Sequence, residues 1–298
     1  MNLKRIILVC LSGVLMALSF PRWNLWILAW VGLVPFLWAM KGCTPREATM
    51  LGWGAGSLHF GILLYWLLNT MKLYGGLPTA VASAVLLLLI VYLGAYWGVF
   101  GALVVYIRST LKLSPIWFAP PLWCALEALR GSLITGFPWA SLGYSQWQVT
   151  DLVQIADISG ISGLSFLLIW ANCALFGLME RCLRRNKRFP WEAVAGTGLG
   201  ILMVAGSLLY GLSRTRQIMA ISETSTKIGI GIAQGSIDQY LKWDAAYQDA
   251  TMGVYEKQTE QLARKGAQIV VWPETAAPFF FQQRGELRER LLDLAQTC

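Results

Sequence analysis

Ile269-Val270-Val271-Trp272-Pro273-Glu274-Thr275 reads as a short buried strand that stops at a proline and holds a carboxylate just past its C-terminal end. Upstream, Lys227 to Ala233 alternates with period two, as strands do. Between the two, Asp244 to Lys265 predicts a helix with Tyr247, Thr251, Val254 and Leu262 loosely on one face. Arg264 and Lys265 complement its C-terminal dipole, and Gly266 suits the position just after it. Strand, helix and strand imply two parallel strands joined by a right-handed crossover. In such sheets functional groups collect beyond the C-terminal strand ends, where Glu274 lies. Residues 284–297 read as one more helix, too little to close a two-layer core.

Before residue 213 the chain is of another kind. Hydrophobic residues make up 56% of the 298 residues and charged residues only 13%, with mean hydropathy +0.53. These values lie outside the range of soluble domains. The 15 Trp and 11 Pro suggest interfacial anchoring and broken helices. Apolar runs near bilayer-spanning length cover residues 6–21, 23–40, 49–70, 79–107, 114–129, 159–180 and 193–212. The fourth is long enough to tilt, and Pro115 with Pro120-Pro121 predicts an irregular start to the fifth. Lys4 and Arg5 before Ile6–Phe20 have the layout of a signal peptide. A second apolar run follows at once and Pro21-Arg22 is a poor cleavage site, so an uncleaved first span is expected. The fold class expected is a membrane all-α bundle of about seven helices (1–212), followed by an incomplete extracytoplasmic α/β domain (213–298).

Orientation follows from the short loops. With the N-terminus inside, the inner side carries Lys4, Arg5, Lys41, Arg46, Arg108, Lys112, Arg181, Arg184, Arg185, Lys187 and Arg188; the outer loops carry Arg22, Lys72 and Arg130. That positive-inside bias places residues after 212 on the outer face. It also accounts for the net charge of +8 without a nucleic-acid partner. The six cysteines form no CxxC pair, and His59 is the only histidine, so neither a disulfide framework nor a metal site is read. No cofactor motif is present. The spans show no internal repeat, which disfavours a transporter.

Glu274 is the leading catalytic candidate: Trp272 and Pro273 would partly desolvate it for general-base duty, although a glutamate there also fits a structural cap. Arg130-Gly131-Ser-Leu-Ile-Thr-Gly136-Phe137-Pro138-Trp139 falls on the outer side, with Trp139 at headgroup depth. Arg130 suits a lipid phosphate as a forked donor, and equally suits snorkelling or a pair with Glu127. His59, among Gly52, Gly54, Gly56 and Gly61, reads as a satisfied polar residue in a close-packed bundle. Trp243 either walls a pocket or packs the crossover helix on its sheet.

Several of these segments, in this order, resemble the apolipoprotein N-acyltransferase family: Glu127-Ala-Leu-Arg130-Gly131, Thr135-Gly-Phe-Pro-Trp139, Gly143-Tyr-Ser-Gln146, Gly160-Ile-Ser-Gly163-Leu-Ser-Phe166, Ala233-Gln-Gly235 with Lys242-Trp243, and Trp272-Pro-Glu-Thr275. The resemblance implies a multi-pass enzyme of the bacterial inner membrane with an outer nitrilase-like (αββα) domain. It would move an acyl chain from a phospholipid to an enzyme cysteine, then to the N-terminal amine of a diacylglyceryl apolipoprotein. It assigns Glu274 as general base and Gly136, Trp139 and Trp243 as functional residues near the substrate. A monomer without cofactor is expected. The lysine and nucleophilic cysteine of the family's triad lie well downstream of the glutamate; Cys298 lacks matching surroundings, so the chain is expected to be C-terminally truncated. A non-catalytic homologue that only binds phospholipid or lipoprotein is the alternative.

Overall fold

A computed structural model describes residues 2–184, 191–238, 245–283 and 285–297. Arg185, Lys187, Arg188, Lys242, Trp243 and Cys298 lie outside the described residues. The chain divides into two units, Met1–Met219 and Ala220–Cys298.

The first unit is helical. It contains α1 (Leu3–Leu18), a 3₁₀ turn (Trp26–Trp30), α2 (Val34–Ala39), α3 (Pro45–Leu64), α4 (Leu67–Leu73), α5 (Thr79–Thr110) and α6 (Pro115–Ser132). A second 3₁₀ turn (Leu142–Gln146), α7 (Thr150–Val153), α8 (Ala156–Arg184) and all but the last five residues of α9 (Trp191–Thr224) complete it. Among the described residues, α5, α8 and α9 are long and apolar enough to cross a membrane. The pair α3 and α4 makes a fourth if its 51° bend is taken as one broken span. This is a membrane protein with a helical N-terminal part.

The second apolar run, expected as one span, is broken. A 3₁₀ turn, a short gap and then α2 with Pro35 in its first turn replace a continuous helix. Backbone groups freed at such a break need partners, because hydrocarbon supplies none. Asn172 of α8 supplies them: its side-chain amide donates to Ala29 O at 2.8 Å and accepts from Leu33 N at 2.8 Å. Ser12 Oγ donates to Gly32 O at 2.6 Å. Both side chains are fully buried.

α3 begins with a capping box between Thr44 and Glu47, with Pro45 at the first helical position. It then packs against α5 through small residues. A Cβ on Gly52 would stand 2.3 Å from Trp97 O, so only glycine permits this approach. Around this contact Phe36, Phe60, Leu93, Trp97, Phe100 and Trp123 form the buried core. α6 runs continuously through Pro120 and Pro121, contrary to the irregular start expected. Pro115 takes the first helical position, and the two inner prolines simply forgo their bonds to the carbonyls four residues back. α9 continues to Thr224, past the change in composition at Ser213. Polarity returns there, but no Gly or Pro intervenes between Leu212 and Thr224 to stop a helix.

The second unit holds β1 (Ile230–Ile232), a 3₁₀ turn (Ala245–Tyr247), α10 (Gln248–Arg264), β2 (Ile269–Val271) and α11 (Glu286–Thr297). The strands are parallel, with Ile230, Gly231 and Ile232 opposite Ile269, Val270 and Val271. Gly266, at φ +87°, turns the chain out of α10. The buried stripe of α10 is Thr251, Met252, Tyr255 and Thr259, so Tyr247 is left exposed. Of the two strands, the second was expected to be buried. Instead only their α10-facing side is covered, and Ile230, Ile232, Ile269 and Val271 are exposed. Ala233, Tyr255 and Ala276 form a small core with Trp272, Leu262 and Val270 packed against it.

Candidate functional site

In the first unit, the candidate residues sit where α6 ends. Leu133 N donates to Leu129 O at 2.7 Å, and the chain turns back so that Phe137 N reaches Arg130 O at 2.8 Å. The turn needs positive φ at Ile134 (63°) and Gly136 (74°). A Cβ on Gly136 would lie 2.2 Å from Gly131 O, so both conformation and space require glycine. The reversal projects Trp139, 52% exposed, beyond the helix end. Its indole stacks on Trp66 at 5.6 Å and lies 5.7 Å from Phe137.

Arg130 is placed inward, not outward. It is 3% exposed, its guanidinium lies 5.3 Å from the Phe60 ring, and Nη2 donates to Ser141 Oγ at 3.4 Å. Glu127 does not appear as its ion-pair partner. Its Oε1 instead accepts from Leu142 N at 2.7 Å and Trp123 Nε1 at 2.9 Å. Glu127, Arg130, Tyr96 and His59 share one small cavity of about 30 Å³ walled by Phe20, Phe60, Trp97 and Trp123. His59 is buried there against Phe20, Phe60 and Trp97.

The loop is then stitched to the bundle. Gly143 N donates to Ser165 Oγ of α8 at 2.9 Å, Gln146 Nε2 donates to Trp26 O at 3.0 Å, and Trp30 Nε1 donates back to Gln146 Oε1 at 3.0 Å. Trp147 Nε1 reaches Asn24 Oδ1 at 3.1 Å. Trp66, Trp139, Tyr144 and Trp147 are all partly exposed, and Arg22 lies 4.8 Å from the Tyr65 ring. Aromatic residues of this amphipathic kind suit the membrane–water interface. Trp66 escaped the sequence reading; its signal was an aromatic pair, Tyr65-Trp66, late in an apolar run.

In the second unit, Glu274 sits in a turn directly after β2, followed by Thr275 at φ 53°. The carboxylate was expected to be partly desolvated by Trp272 and Pro273, but Glu274 is exposed. The indole of Trp272 turns the other way: it stacks on Tyr255 at 5.0 Å and donates to Thr259 Oγ1 at 2.9 Å. It anchors the strand end to α10 and thereby fixes where Glu274 starts. Thr275 Oγ1 donates to Glu274 O at 2.7 Å, and Ala276 N to Pro273 O at 3.2 Å, which closes the turn. Among the described residues no group of His, Cys, Asp and Glu is placed to hold a metal ion.

Residues 12–174 match the family model described as apolipoprotein N-acyltransferase N-terminal domain. A protein of Geobacter metallireducens named apolipoprotein N-acyltransferase is 37% identical over 98% of this chain and 56% of its own length. Proteins of the same name from Haemophilus influenzae and Pasteurella multocida are 31% and 28% identical, over 91% and 90% of this chain and 50% and 49% of theirs. The chain thus spans about half the length of the curated relatives it matches. The matched region includes the α6 end, the Gly136–Trp139 reversal and the α8 contacts that hold it. On that match, this chain belongs to the apolipoprotein N-acyltransferase family.

Proposed function

We propose that this chain contributes the membrane bundle and the first part of the extracytoplasmic catalytic domain of a phospholipid-dependent N-acyltransferase acting on apolipoproteins. The single observation that carries this reading is the 37% identity across nearly the whole chain to a relative of that name. Glu274 is the general base. It takes the proton of a cysteine thiol supplied elsewhere in the protein, and the thiolate attacks the ester carbonyl of a phospholipid. A lysophospholipid leaves with the proton returned by Glu274, and a thioester remains; the N-terminal amine of a diacylglyceryl-modified lipoprotein then attacks that carbonyl and keeps the acyl chain, while the sulfur leaves as a thiol carrying the proton the amine gives up. Such a base must stand within hydrogen-bond reach of the sulfur in the working complex.

Gly136 supplies the reversal that sets Trp139 at headgroup level, where its indole meets the phospholipid. Arg130, buried beneath, supports the loop that meets the headgroup. Trp243, on the approach to α10, walls the acyl pocket. The seven apolar runs traverse the bacterial inner membrane with the N-terminus cytoplasmic, a reading supported by the Lys and Arg bias of the short loops. After the last span the chain enters a nitrilase-like domain, of which the parallel β1-α10-β2 unit is the opening element. The protein works as a monomer.

The test completes this chain with the remaining residues of the Geobacter relative and follows transfer of a labelled acyl chain from phospholipid to protein. A hydroxylamine-labile adduct is expected, and Glu274→Gln is expected to abolish it. Undiminished labelling in Glu274→Gln removes Glu274 from the base role.

A further inference from the structure

Two cavities of the first unit lie on either side of Ala174, which lines both. The first, about 290 Å³, lies where α5 ends, α6 begins and α8 nears its C-terminal end. Among the described residues, Arg108, Lys112 and Arg181 line it with a single carboxylate, Glu180. That carboxylate is already engaged, by Arg108 Nη2 at 2.7 Å and by Lys41 Nζ at 3.1 Å. Positive charge is therefore in excess. The N-terminus of α6 opens on the same space: Ser114 lines it and makes no side-chain cap. The positive end of this 18-residue helix thus adds to the field of the cations.

The second cavity is an apolar groove of about 450 Å³ between α8 and α9, lined by Trp170, Ala174, Gly200, Val204 and Ala205 among others. Both helices are long and apolar enough to cross a membrane, so the groove lies at hydrocarbon depth. Beside it Trp170 Nε1 donates to Gly196 O at 2.8 Å, which ties the helices together without closing it. An apolar cavity of about 150 Å³ stays dry and takes benzene. This one offers three times that space, in a shape set by two helices, which suits an alkyl chain.

We propose that the two cavities form one binding site for an anionic phospholipid, with the headgroup phosphate among Arg108, Lys112, Arg181 and the start of α6, and one acyl chain between α8 and α9. A polar cavity with excess positive charge, next to an apolar groove across Ala174, matches a phosphate joined to an alkyl tail. Basic pockets between membrane helices bind such headgroups. The site lies at the N-terminal end of α6, whereas Trp139 follows its C-terminal end. The 18 residues of α6 separate the two by about 27 Å. The bound lipid is therefore a second one, additional to any acyl donor beneath Trp139.

The test uses the full chain in detergent, with phosphatidylglycerol and phosphatidylcholine added separately and adducts read by native mass spectrometry. No acyl transfer is needed, so the result stands apart from the Glu274 experiment. One retained phosphatidylglycerol is expected, with phosphatidylcholine retained much less. Lys112 and Arg181 are exposed, so their loss does not threaten folding. The double variant Lys112→Gln/Arg181→Gln is expected to bind about thirtyfold more weakly. Ala205→Phe, which fills the groove, is expected to lose the adduct, while Leu87→Ala, on an exposed part of α5, keeps it. Unchanged binding in either the double variant or Ala205→Phe overturns the proposal. So does equal loss in Leu87→Ala, which signals a nonspecific lipid coat. Displacement by inorganic phosphate with no effect of Ala205→Phe assigns the polar cavity to a free anion and likewise overturns it.

Discussion

Trp66 and Trp139 stack with ring centroids 5.6 Å apart and planes inclined by 22°. The two come from different causes. Trp66 is presented by the 51° bend between α3 and α4, and Trp139 by the Gly136 reversal after α6. Offset stacking of this kind contributes about 0.5–1.5 kcal/mol beyond area burial. In a double-mutant cycle with Trp66→Ala and Trp139→Ala, unfolding in detergent is expected to give a coupling of about 1 kcal/mol. Additive losses would mean that the rings act independently.

Gly136 and Gly76 make an internal comparison, since both have positive φ, at 74° and 63°. Among the described residues a Cβ beside Gly76 meets nothing within 4 Å, whereas at Gly136 it meets Gly131 O at 2.2 Å. Gly76→Ala therefore incurs only the left-handed backbone term, about 1 kcal/mol. Gly136→Ala adds a backbone clash and is expected to cost about 3 kcal/mol or to displace the loop. Thermal unfolding, with proteolysis of the 133–141 loop as a second readout, separates the two.

What the sequence alone made legible was local chemistry. Gly266 ends α10 as its position predicts, and the alternation of 227–233 and the apolar run 269–272 locate two strands that pair in parallel. Gly52 does allow the close approach of α3 and α5. What stayed hidden depends on distant partners. The run 23–40 is apolar enough for a helix, and its break is tolerated because Asn172, more than 130 residues away, satisfies the freed groups. Arg130 has the composition of an outward headgroup ligand, and its inward placement depends on Phe60 and Ser141. The direction in which Trp272 points, which decides the exposure of Glu274, is set by Tyr255 and Thr259 on α10.

Glu127 joins α6 to the loop that carries Trp139. Its Oε1 accepts from Leu142 N and Trp123 Nε1, and it stands in the same cavity as the Arg130 guanidinium. Glu127→Ala strands two buried donors and removes the nearest opposite charge from Arg130. A cost of about 3–5 kcal/mol is expected, the range for breaking a buried charged network. Glu127→Gln keeps an oxygen for both donors and is expected to cost less. Equal stability of the two variants, read from chemical unfolding in detergent, would show that hydrogen bonding at Glu127 is not what holds the loop.

Arg290 of α11 links that helix to α10. Its Nε and Nη2 donate to the two Glu256 oxygens at 2.9 and 2.6 Å, and Nη1 bonds to Asp249. These hydrogen bonds, with Glu256 first and Asp249 second, raise the guanidinium pKa above its usual value. A raised folded-state pKa contributes stability that is fully present below the unfolded pKa and is lost only as pH rises through the folded one. For arginine both lie far above neutral pH, so the link between α10 and α11 is expected to hold unchanged across neutral and mildly alkaline pH. The pair is partly exposed, so added salt is expected to weaken it. Arg290→Gln is expected to lower the stability of the second unit by about 1 kcal/mol at low salt and by less at high salt. Hydrogen exchange of α11 amides, compared between wild type and variant at two salt concentrations, measures this. A variant effect that grows with salt, or one that disappears between pH 7 and 9, would show that the ion pairs do not hold α11 to α10.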